Sequence, residues 1–184
     1  MTGNLRVSLS HGANNQSIVV DSYIAGGARV DGGTGAESIL FDATIIGLGL
    51  AGNTSAGADQ CLVGNTYVGG ALDVNTGSEE DQVALASVRL TGPARLNTGD
   101  GDDTVGVTNE SLVQGLLDIR TGTGDDELAI ADPLVSGRLF VDLGAGNDEL
   151  AIARVSTRPA VFEGPATILA GAGDDAVRIG AASR

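Results

Sequence analysis

Short stretches of this chain alternate apolar and polar residues, and the alternation restarts at a fixed interval. Each stretch follows a glycine-rich acidic turn, as in Gly144-Ala145-Gly146-Asn147-Asp148-Glu149-Leu150-Ala151-Ile152. Counted from the first glycine of each turn or its equivalent, the units start at Gly12, Gly33, Ser55, Gly77, Gly99, Gly122, Gly144 and Gly171. Successive starts lie 21, 22, 22, 22, 23, 22 and 27 residues apart. Six residues after the start stand Ile18, Ile39, Cys61, Val83, Val105, Leu128, Leu150 and Val177, and eight after stand Val20, Phe41, Val63, Leu85, Val107, Ile130, Ile152 and Ile179. Five before stand Val7, Ala28, Leu50, Leu72, Ala94, Leu117, Leu139 and Ala166; three before, the column runs from Leu9 and Val30 to Ile168.

A period of two on both sides of each turn predicts two short strands per unit. A third apolar patch, such as Val88 and Leu90 or Leu134 and Val135, ends at a second glycine column through Gly70, Gly92, Gly115, Gly137 and Gly164. No segment has a helical period. Three short strands and three corners in ~22 residues predict one coil of a parallel β-helix, stacked on the coils before and after it. An antiparallel sandwich is the competing all-β fold, but it gives no reason for the same position to recur in every unit. The expectation is a single β-solenoid domain over residues 1–184, about eight coils long. At ~4.8 Å per coil the rod measures about 38 Å. The last unit ends without a capping helix, which predicts a segment of a longer array, or repeats that meet end to end.

Composition sharpens this picture. Gly accounts for 29 of the 184 residues, against 3 Phe, 2 Tyr and no Trp. The core must therefore be a lattice of Val, Ile, Leu and Ala. The net charge of −14 disfavours nucleic acid as a partner. No run of 18 apolar residues exists, so no membrane insertion is expected. The single Cys61 excludes an intramolecular disulfide, and its place in an aliphatic column predicts a buried thiol. The one His, His11, stands alone before the first turn and reads as a surface residue. Asn53, Asn75 and Asn97 share a column and predict an amide ladder.

The turns carry the candidate chemistry. Four residues after the start, the column reads Gln16, Glu37, Asp59, Asp81, Asp103, Asp126, Asp148 and Asp175. One residue earlier it reads Asn15, Ala36, Ala58, Glu80, Asp102, Asp125, Asn147 and Asp174. Stacked ~5 Å apart, like carboxylates repel by roughly 3 kcal/mol per pair at an effective dielectric of ~20. Solvent and salt can screen such a ladder, or a cation can sit in it. Calcium (Ca2+) takes oxygen ligands in flexible geometry, and glycines let turn carbonyls face it. The candidate ligands are Asp102, Asp103, Asp125, Asp126, Asn147, Asp148, Asp174 and Asp175. The alternative is plain turn chemistry, because Asp and Asn bond their own backbone and tolerate left-handed conformations.

These turns resemble the haemolysin-type calcium-binding (repeat-in-toxin) nonapeptide, Gly-Gly-x-Gly-x-Asp-x-Leu-x. With Leu150 on its Leu, Asp148 falls on its Asp and Gly146 and Gly144 on two of its glycines. Asp103, Asp126 and Asp175 take the same place in their turns. The family coil has two nine-residue halves, whereas this chain has one acidic turn per coil. The resemblance thus implies calcium along one edge, and a secreted or cell-surface, bacterial, RTX-like repeat. Sugar-active β-helix enzymes break their repeat at a catalytic cleft; here the acidic residues follow the repeat throughout, so no enzyme activity is expected. An ice-binding face needs paired threonine columns, and Thr76, Thr98 and Thr121 make one short column. The expected function is a non-catalytic, calcium-binding structural or adhesive repeat module of an extracellular or surface protein. A metal-free scaffold is the alternative.

Overall fold

A computed structural model describes residues 1–9, 12, 14–154 and 160–181 of the chain. His11 lies outside them. All regular structure among the described residues is β, in 23 short strands. Among the described residues no helix is long and apolar enough to cross a membrane.

The strands stack into three parallel sheets that form a β-solenoid, three strands to a coil. The first sheet runs from Leu5–Ser8 through Leu117–Thr123 to Ala166–Leu169, eight strands in all. The second runs from Asn15–Val20 through Thr104–Thr108 to Ala176–Ala181, also with eight. The third holds seven two-residue strands, from Tyr23–Ile24 to Val161–Phe162. Each strand pairs with its equivalent one coil away, as in Leu96↔Ile119 and Val105↔Leu128. The five extra residues of the last unit fall between Ala153 and Val161, after the second-sheet strand, so the pairing Leu150↔Val177 is kept.

The inward residues of all three sheets form one continuous aliphatic core from Ile24 to Ile152. Phe41 is the one aromatic side chain buried in full, and Cys61 is buried as a small hydrophobe with its thiol pushed up to about 12 by burial. The third sheet turns one residue of each pair inward; the outward ones include Tyr23, Ile45, Tyr67, Leu134 and Val161, which remain exposed. On the outside of the first sheet Asn53, Asn75 and Asn97 stand in register, and Asn97 Nδ2 donates to Asn75 Oδ1 at 2.7 Å. Beside it, Arg29 pairs with Asp31 and holds that carboxyl below its usual range.

The first coil departs from the sequence expectation. Ser17 and Val19, not Ile18 and Val20, pair with Ile39 and Phe41, and Leu5 and Val7, not Val7 and Leu9, pair with Ala28 and Val30. Ile18 is 59% exposed and Val20 45%. A slip of one residue turns a strand inside out. The run Ile18-Val19-Val20 is apolar throughout, so alternation could not fix its phase. Asn15, rather than Gln16, stands opposite Glu37 at the head of the acidic column.

The corner between the second and third sheets rests on residues other than glycine. Asp21, Ala43, Asn65, Ser87, Glu110 and Asp132 take φ between 46° and 57°. Asp and Asn suit this left-handed region, whereas an alanine pays for its Cβ. Ala43 is exposed and its N–H donates to the Gly64 carbonyl, so nothing but conformation opposes a change. Ala43→Gly is expected to stabilise the fold by about 0.5–1 kcal/mol, the strain relief less the added unfolded-state entropy. A urea melt measures it, and a loss of stability would contradict the strain.

Candidate functional site

The acidic turns link the first sheet to the second. Each turn presents two side chains, one folded into the corner and one facing solvent. Glu37, Asp59, Asp81, Asp103, Asp126 and Asp148 form the inner column and are buried, each no more than 3% exposed. Asp102, Asp125, Asn147 and Asp174 form the outer column and are exposed, while Asp175 at the end of the inner column is half-buried.

Both columns bond to the backbone of neighbouring coils. In the inner one, Asp81 N–H donates to Asp103 Oδ1 at 2.8 Å, Asp103 N–H to Asp126 Oδ1 at 2.9 Å and Asp126 N–H to Asp148 Oδ1 at 2.9 Å. The same bond runs from Glu37 to Asp59, from Asp59 to Asp81 and from Asp148 to Asp175. The outer column points the other way along the rod. Asp125 N–H donates to Asp102 Oδ1 at 2.8 Å, Asn147 N–H to Asp125 Oδ1 at 2.7 Å and Asp174 N–H to Asn147 Oδ1 at 3.0 Å. At these two positions the side chains therefore take the place of the carbonyl acceptors that a regular ladder would supply. A buried N–H left without an acceptor costs about 1–3 kcal/mol, which accounts for an acidic or amide residue in the inner column at every described coil.

The second inner oxygen is different. Glu37 Oε2 and the Oδ2 atoms of Asp59, Asp81, Asp103, Asp126 and Asp148 are buried without a hydrogen-bond partner. Burial is the largest influence on these aspartates. It raises Asp81 and Asp126 to about 6 and shifts Asp59, Asp103 and Asp148 in the same direction; backbone N–H groups and, for all but Asp148, the nearby threonine hydroxyls oppose the shift, and neighbouring acidic groups add to it.

A buried threonine column stands beside the inner one. Thr54, Thr76, Thr98 and Thr121 precede Asp59, Asp81, Asp103 and Asp126 by five residues, and each hydroxyl faces the carboxyl of its own coil. That hydroxyl has one proton, and the geometry gives it to a carbonyl of the following coil: Thr54 to Thr76 O at 2.8 Å, Thr98 to Thr121 O at 3.1 Å and Thr121 to Leu143 O at 2.7 Å. Glu37 has Gly32 at the threonine place, where a Cβ would stand 3.0 Å from Glu37 Oε2, so the longer acid fills the room of the missing side chain. The sequence shows Thr76, Thr98 and Thr121 as one short column without tying them to the acidic residues. The missed signal is the fixed Thr-to-Asp interval.

The eight expected ligands thus divide into two columns that diverge along the rod. A calcium shell needs six to eight oxygens converging on one point. Among the described residues no three His, Cys, Asp or Glu side chains are grouped to hold a metal ion. In the pairs Asp102/Asp103 with Asp125/Asp126, and Asp125/Asp126 with Asn147/Asp148, one oxygen of each side chain accepts a backbone N–H from an adjacent coil. No protein-family model matches the chain, and neither does a curated protein or a solved structure.

Proposed function

We propose that this chain is a non-catalytic structural repeat module, a rod segment of the kind that a secreted or surface-displayed protein uses as a spacer or adhesive stalk. One observation carries the reading. The acidic motif, the sole candidate for chemistry in the sequence, is spent on joining coil to coil through backbone N–H groups. A side chain whose oxygen closes a ladder bond in every coil performs the same task in every coil, as a scaffold needs and a catalytic centre does not. The exposed outer carboxylates keep negative charge in the solvent on a chain whose formal net charge is −14, which opposes side-by-side aggregation of such rods.

The reading makes a direct prediction about metal. Melting temperatures in millimolar calcium and in EDTA are expected to coincide, with a flat calorimetric titration. Calcium at about a hundredfold excess over its dissociation constant would add about 2.7 kcal/mol, a shift of several degrees that such melts resolve easily. A shift of that size, reversed by EDTA, would replace this reading with a calcium-binding module.

A further inference from the structure

We propose that the outer face of the second sheet binds a second copy of this chain, the two rods lying face to face and antiparallel. This goes beyond the rod reading, in which net charge keeps rods apart, by naming the one face and the one orientation in which two of them fit.

The sheet carries three outward columns. The column nearest the acidic turns is polar, and runs from Gln16 through Gln82 to Glu149. The middle column is apolar, and its side chains change size along the rod. Ile18, Leu40 and Leu62 occupy the first three coils. Ala84, Gly106, Ala129 and Ala151 occupy the next four. The last column is mostly small, with Gly64, Ala86 and Ala153, and Val20 at its start. The slip of the first coil is what turns Ile18 and Val20 outward onto this face, where they are 59% and 45% exposed. One half of the face is therefore raised, and the other half is a shallow bed.

Shape selects an orientation. A twofold axis along the strands sets the first coil opposite the eighth and the second opposite the seventh, with each column facing itself. Leu40 then meets Ala151 of the second copy, Leu62 meets Ala129, and Ala84 meets Gly106, so each large side chain enters the bed. A twofold axis along the rod sets Leu40 on Leu40 and leaves Ala129 facing Ala129 across a gap. Such a gap forfeits dispersion contacts on both of its walls.

Charge selects the same orientation. In the antiparallel pair Glu127 meets Gln60, and Glu149, which is paired with Arg178 of its own chain, meets Ser38. The parallel pair would set each glutamate on its own copy. The outer column of the acidic turns borders this face, and its second and third coils are uncharged: Ala58 lies opposite Asp125, and Ala36 opposite Asn147. Within these columns Glu80 and Asp102 are the one acidic pair brought together, and both are exposed at the rim, where salt screens them. The area suffices. Eight coils of ~4.8 Å and strands of about five residues at ~3.3 Å give a face of about 38 by 17 Å. Pairing buries about 650 Å² per copy and about 1,300 Å² in all, at the lower end of stable specific interfaces.

Sedimentation equilibrium of the intact chain tests this. A monomer–dimer equilibrium on the order of micromolar is expected, severalfold tighter in about 1 M salt than in low salt, because screening removes the repulsion between rods. Ala129→Glu and Ala151→Glu put a charge in the bed that Leu62 and Leu40 enter, and each is expected to weaken the dimer at least tenfold. Both alanines lie on the solvent side of the single rod, so dilute samples are expected to melt with the parent; should one variant fail to fold, the other decides. Ala51→Glu, on the outer face of the first sheet, is expected to leave the dimer unchanged. A nitroxide on Ala36→Cys reads the orientation, since the native Cys61 is buried. The two labels are expected five coils apart along the rods, about 24 Å, whereas a parallel pair would place them side by side. The proposal is overturned if the chain stays monomeric in high salt, if a folded bed variant dimerises as the parent does, if Ala51→Glu also loses the dimer, or if the labels lie side by side.

Discussion

Gly122→Ala is expected to cost about 3 kcal/mol or more and to disrupt the middle of the rod. Gly122 opens the acidic turn at φ +112°, a conformation that side-chain-bearing residues avoid at a cost of about 1–2 kcal/mol. The second term is steric. A Cβ built there overlaps the carbonyl oxygen of Gly99 one coil away, and its carbon lies only 2.8 Å off. Gly99 cannot retreat, because it is in register with Gly77 on its other side. The strain would pass from coil to coil instead of being absorbed locally. A urea melt of Gly122→Ala against Gly106→Ala tests this. Gly106 lies in the second sheet with nothing within 4 Å of a built Cβ, so its change is expected to stay within about 0.5 kcal/mol of the parent. Equal midpoints for the two variants would show that the turn column tolerates side chains.

Leu117→Ala comes next in size, at about 2–5 kcal/mol. Leu117 is fully buried in the middle of the first sheet, between Ala94 and Leu139 of the adjoining coils. Ala94 is already small, so the two alanines would leave a void with few side chains able to close it. Ile179→Ala, in the last coil, removes a side chain that is 68% exposed and is expected to change stability by less than about 0.5 kcal/mol. In a stacked array each coil touches only its neighbours, so a defect at the centre weakens the coupling between halves. Thermal unfolding of Leu117→Ala is therefore expected to broaden or split into two steps, while Ile179→Ala keeps a single transition. A sharp single transition for both would mean that the rod unfolds as one unit despite its linear contacts.

Much of the fold was legible because a solenoid writes its contacts into the chain at a constant interval. Val83, Val105 and Leu128 resemble one another since they stack, and that likeness is visible before any coordinates exist. The third sheet was harder to read. Its strands are two residues long, too short for alternation to declare itself, and its corner uses Ala43 and Ser87 where glycine or asparagine would have signalled a turn. The first coil failed for a related reason, an unbroken apolar run with no phase.

The site divides along the same line. Sequence by itself determined that the acidic residues form ladders, that the ladders follow one edge, and that Cys61 packs as a hydrophobe. Only the tertiary structure decided which way each carboxyl points. Asp102 and Asp103 are neighbours in the chain, yet the carboxyl of one faces solvent and accepts from the following coil while the carboxyl of the other is buried and accepts from the preceding one. A one-dimensional pattern gives spacing but not direction, and charge repulsion between stacked acids looks the same whether a cation, solvent or a backbone N–H offsets it. The structure settles where each Oδ1 goes, because a turn N–H can reach one acceptor and the adjacent coil places a carboxyl there.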